Sequence, residues 1–127
     1  MRRSGGWLKR ERPEFTAITR YIFPGAELDD IGLTVRNLEQ HGFEVHDVEA
    51  WRRHYARTTR EWAEALYEKR AVARAEVGEA KLRIWLLYLA GCSLGFQRGS
   101  IGIYQTLVSK RTRGETRVPL TREDLYA

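Results

Sequence analysis

Apolar residues recur with helical spacing in several stretches of this chain and with strand-like composition in two others. Ile31, Val35 and Leu38 lie four and three residues apart, which predicts an amphipathic helix. Asp29 or Asp30 offers its N-cap, and Gly42 stands where a left-handed C-terminal turn is expected. Phe43–Val48 then reads as a short strand, with Phe43, Val45 and Asp47 on one face. Trp51–Tyr55 leads into the next helix, along which Trp62, Ala65, Leu66 and Ala73 keep an apolar stripe. Thr58 with Glu61 fits a capping box, and Gly78 breaks the helix. A further helix is predicted from about Glu79 to Arg98. Leu82, Trp85, Leu86, Leu89 and Ser93 line one face of it, and Tyr88, Cys92 and Phe96 line another. A helix apolar on most sides is expected to be buried on most sides. Ile101–Ser109, rich in β-branched and aromatic residues, closes the pattern as a second strand.

The two ends differ from this middle. Residues 1–14 carry Gly5-Gly6 among charged residues and read as an irregular leader, and residues 113–127 read as a polar tail. The folded segment is therefore placed at 15–112. Two strands and three helices form an α/β set with little sheet. A strand pair is marginal alone, so the pattern predicts part of a larger sheet.

Composition narrows the function classes. The chain has 127 residues, 43% of them hydrophobic, with four Trp, six Tyr and four Phe, enough for a packed core in one domain or part of one. One cysteine excludes an intrachain disulfide and any Cys-pair zinc site. His41, His46 and His54 lack i, i+4 ligand spacing, so no metal is expected. The apolar run Ile84–Phe96 falls short of the roughly 20 residues a membrane span needs. With no secretory signal at the N-terminus, a cytoplasmic setting is expected. The formal charge of +5 is unevenly spread. Residues 15–51 hold two Arg against seven acids, and residues 52–83 hold nine Lys and Arg against five Glu. Such a balance suggests attraction to an anionic surface, either lipid headgroups as at the inner face of a membrane or nucleic acid, or else a solvated helix face rich in Arg and Glu. Nucleic acid is disfavoured, because the cations alternate with Glu and no DNA-binding motif occurs.

Four segments in order carry a resemblance. They are Tyr21-Ile22-Phe23-Pro24-Gly25, then Gly42-Phe43-Glu44-Val45-His46-Asp47-Val48-Glu49, then His54-Tyr55-Ala56-Arg57-Thr58 followed by Trp62, and finally Tyr88-Leu89-Ala90-Gly91-Cys92 with Phe96 and the strand after it. Over about residues 15–112 the chain resembles the C-terminal portion of the cyclopropane-fatty-acyl-phospholipid synthase family. These are S-adenosylmethionine-dependent methyltransferases acting on lipid double bonds. The resemblance implies the C-terminal part of a Rossmann-like class I methyltransferase fold, its last two strands antiparallel and its N-terminal sheet half without a counterpart here. It implies a reaction in which an unsaturated phospholipid or fatty acyl chain takes a methyl or methylene group from S-adenosylmethionine, with bicarbonate accepting the proton. Tyr55 and Cys92 match two of the family's bicarbonate contacts, and its Glu and His contacts have no match. Phe96, Thr59 and Tyr88 fall in the substrate pocket. Thr59 departs from the family's usual Leu and predicts a shorter, more polar wall. No residue matches the cofactor-binding loop, so the chain alone is expected to bind neither S-adenosylmethionine nor bicarbonate and to be inactive. The rival expectation is a non-catalytic remnant acting as an interaction module, with a homo-oligomer or a complementary N-terminal half covering its open sheet edge.

Overall fold

The computed structural model describes residues 20–25, 28–112, 114, 116 and 118–126. The leader expected at residues 1–14 lies outside them. Among the described residues from Ile31 to Lys110, four α-helices and two strands follow in the order α1 (Ile31–Gln40), β1 (Phe43–Ala50), α2 (Arg52–Glu68), α3 (Arg70–Val77), α4 (Glu79–Arg98) and β2 (Tyr104–Lys110). A 3₁₀ turn occupies Glu123–Leu125. None of these helices is long and apolar enough to cross a membrane. The chain divides into two compact units, one running to Leu28 and resuming over Trp51–Ile103, the other comprising Asp29–Ala50 and the chain from Tyr104 on.

The strand unit begins with α1. Asp30 caps it, its carboxylate accepting from the Gly32 amide at 2.8 Å, which satisfies one of the free amides of the first turn. Gly42 ends it at φ +83°, a conformation open to glycine at little cost. The strands β1 and β2 pair antiparallel, as predicted, and the Arg111 amide closes the ladder on the Gly42 carbonyl at 2.8 Å. The register breaks once, because Val45 faces Val108 whereas Asp47 faces Leu107. His46 is thus the extra residue of a β-bulge. Residues directly opposite share a face, and Val108 and Leu107 lie on opposite faces. The bulge therefore corrects the predicted face. Phe43, Val45 and Val48 share one side, and Asp47 stands on the other with His46.

The helical unit is built on α2 and α4. Arg52, which opens α2, donates to the Phe96 carbonyl near the end of α4 at 2.7 Å, and the Ser93 hydroxyl donates to the Ala56 carbonyl at 2.8 Å. These contacts fix the two helices antiparallel. Gly78, at φ +82° and ψ 160°, separates α3 from α4 where the break was predicted.

Three expectations need correction. Helix α2 starts at Arg52, so Thr58 lies inside it, and Glu61 pairs with the Arg57 guanidinium at 2.7 Å instead of completing a capping box. The predicted single helix before Gly78 is interrupted at Lys69, whose ψ of 17° leaves the helical range, so two helices stand where one was expected. Nor is α4 buried on most sides. Its buried residues Leu82, Leu89 and Phe96 lie seven apart on one seam, whereas Leu87 is 74% exposed and Leu94 48%. Apolar composition around the helix exceeds what one helical partner can cover.

Candidate functional site

The sequence-predicted site residues all lie in the helical unit, on α2 and α4. The Tyr55 ring meets the Phe96 ring edge-on, centroids 5.8 Å apart at 62°. Phe96 is buried, and Cys92 lies one helical turn before it on the same side of α4. One turn earlier again, Tyr88 packs edge-on against Trp85 at 5.6 Å and against Phe23 at 5.8 Å. Tyr88 and Cys92 stand four residues apart on one side of α4. Edge-to-face contacts of this kind orient rings as well as bury them.

The titration behaviour follows from this packing. Burial pushes the Tyr88 phenol up to about 12, with the nearby Cys92 thiol adding to the effect. Burial also raises the Cys92 thiol, and the nearby Tyr88 hydroxyl offsets part of that rise. Both groups therefore hold their protons at neutral pH. A protonated thiol is a poor nucleophile but a hydrogen-bond donor. The cluster offers neutral donors in an apolar setting, which suits a small anion better than a cation or a covalent intermediate.

Thr59 is 5% exposed, the single buried polar residue among those described. Its hydroxyl donates to the Tyr55 carbonyl one turn back at 2.6 Å. The donor is thus used within the helix, and the polar wall predicted for Thr59 is muted accordingly.

Sequence reasoning missed two residues. Arg52 had no signal at all, since one arginine among nine cations in its segment looks like any other. Ser93 was read as part of an apolar face. A hydroxyl in an otherwise apolar stripe was the signal that a backbone carbonyl waits opposite. Among the described residues, no group of three His, Cys, Asp or Glu could hold a metal ion.

Residues 3–106 match the family model for mycolic acid cyclopropane synthetase. The chain is 44% identical over 110 residues to a probable fatty acid methyltransferase of Pseudomonas putida, a match covering 86% of this chain and 28% of that protein. Among solved structures it is similar to the mycolic acid cyclopropane synthase CmaA1 complexed with SAH and CTAB. The TM-score is 0.74 at 31% identity, over 77% of this chain and 34% of that one. The cyclopropane synthase MmaA2 of Mycobacterium tuberculosis gives a TM-score of 0.74 at 32% identity with the same coverage. The chain thus spans 28% of the curated relative and 34% of each solved one. Its helices and antiparallel strand pair are the C-terminal part of a Rossmann-like class I methyltransferase fold. The chain belongs to the mycolic acid cyclopropane synthetase family of lipid methyltransferases.

Proposed function

We propose that this chain is the C-terminal portion of an S-adenosylmethionine-dependent methyltransferase that modifies the double bond of an unsaturated phospholipid or fatty acyl chain at the cytoplasmic membrane surface. The observation that carries the reading is the Tyr55–Phe96 contact across α2 and α4, one turn from Cys92. It puts a phenol, a thiol and an aromatic wall on neighbouring turns. In the complete family site S-adenosylmethionine supplies the methyl group and bicarbonate takes the proton.

The residues of this chain fit the second group and not the first. The sequence holds no Gly-rich turn in a strand–helix context and no acidic residue placed after such a strand. The isolated chain is therefore expected not to bind S-adenosylmethionine. The donor set does suit a small oxyanion. Tyr55 would donate its hydroxyl and Cys92 its thiol to the anion's oxygens, and Tyr88, packed on Trp85 and Phe23, would add to the apolar wall one turn away. A base held in a dry pocket can take a proton from a carbocation formed beside it. Phe96 would present its ring to that cation, an attraction that strengthens where water is excluded. Thr59, with its hydroxyl already bonded, would complete the acyl wall.

The test is a chimaera in which this chain replaces the matching C-terminal part of the Pseudomonas putida relative. Soluble chimaera should bind S-adenosylmethionine and methylate vesicles of unsaturated phospholipid. Tyr55→Phe and Cys92→Ser should each lower turnover at least about tenfold, in the range expected for groups assisting proton transfer, while cofactor affinity changes less than twofold. A chimaera that binds the cofactor but leaves the lipid unmodified would overturn the proposal.

A further inference from the structure

We infer that residues 118–125 form a releasable strap over one face of the β1–β2 sheet, latched by the ion pair between Arg122 and Asp47. The strap lies beyond the region that matches the family, which ends at residue 106. It nevertheless returns to the sheet. Arg122 donates to the Asp47 carboxylate, whose side chain is only 9% exposed, whereas that of Arg122 is 63% exposed. Together with the strands it encloses a cleft of about 300 Å³ lined by His46, Asp47, Leu107, Val118, Arg122 and Leu125, among others.

The geometry shows how the latch is set. The bulge at His46 turns Asp47 to this face. The 3₁₀ turn at Glu123–Leu125 begins from Arg122, whose carbonyl accepts the Leu125 amide at 3.1 Å, so the latch residue sits where the tail's backbone is fixed. Apolar burial adds little to the hold. Leu120 is fully exposed, Tyr126 is 67% exposed and Leu125 is 37% exposed. A cover held chiefly by one ion pair, half of it in solvent, should loosen as salt rises. Closed, it shields Asp47. Open, the face presents the Asp47 carboxylate beside the His46 imidazole, which already bonds the Ser109 hydroxyl at 2.7 Å.

Carbodiimide labelling of the Asp47 carboxylate in the full 127-residue chain, followed by peptide mass spectrometry, reads the open population directly. Arg122→Gln should raise the labelling rate at Asp47 about fivefold or more, while Asp30 and Glu44 label as before. Arg122→Lys should stay within about twofold of the parent, and 0.5 M NaCl should speed labelling in the parent but not in Arg122→Gln. Far-UV circular dichroism confirms that each variant is folded. Unchanged labelling in Arg122→Gln would overturn the latch, and so would Arg122→Lys labelling as fast as Arg122→Gln.

Discussion

In the helical unit, Leu82, Leu89, Phe96 and Thr59 come together as buried residues, with side-chain bonds from Arg52 and Ser93 to backbone carbonyls tying α2 to α4. In the strand unit no described residue is buried. What holds that unit is the backbone ladder, the Asp30 cap and two polar pairs, His46 with Ser109 and Asp47 with Arg122. Burial of apolar surface stabilises in proportion to area, whereas exposed polar contacts net a fraction of a kcal/mol to about one each. The helical unit should therefore be the harder of the two to open, and the strand unit should fray first.

Leu89→Ala tests this most severely. It removes a residue at the centre of the α4 seam and should cost about 3 kcal/mol, as measured by urea denaturation. Hydrogen exchange sharpens the point. Amides of α2 and α4 should lose protection, and those of the β1–β2 ladder should lose much less. Equal loss in both would show one cooperative block and dissolve the contrast. Asp30→Ala comes next. Loss of the cap should cost about 1 kcal/mol and loosen α1 alone, which exchange at the Gly32 and Leu33 amides would report.

The smallest effect is a dependence on alkali. The folded Tyr88 phenol titrates at about 12, against 10.0 for an unburied tyrosine. Folding thus favours its protonated form. That contribution is complete below pH 10.0 and is lost as pH rises toward about 12. A plot of melting temperature against pH should slope downward across this window, and Tyr88→Phe should flatten the slope. An unaltered slope in the variant would assign the alkaline sensitivity to another group.

The same contrast explains what the sequence disclosed. Periodic apolar residues located α4 to its end residues, because a buried seam imposes its own spacing, and Gly78 marked the break because only its backbone conformation permits one there. Asp30 and Gly42 marked α1 for similar local reasons. The break at Lys69 left no trace, since no glycine or proline causes it. Tyr55, Cys92, Phe96, Thr59 and Tyr88 are singled out only through a family pattern, and Arg52 and Ser93, on the same two helices, are not. Their bonds reach backbone carbonyls 44 and 37 residues away, and no local pattern encodes such a distance. The ion pair of Arg122 with Asp47 was equally hidden, for it depends on which way a strand residue points after a bulge.

That bulge carried a trace that is easy to overlook. Phe43, Val45 and Val48 are spaced by two and then three, a broken alternation that only an added residue can reconcile with a single apolar face. The strand therefore keeps count. Substitution at His46 changes a side chain and leaves the count intact. Loss of one codon there would instead remove the bulge and leave every face as it is, because Asp47 would then follow Val45 in plain alternation, still opposite Leu107, with Val48 still opposite Thr106. Side-chain parity in β1 is thus indifferent to that one triplet, and what an in-frame deletion there would take away is the bulge itself and the His46 imidazole beside Asp47.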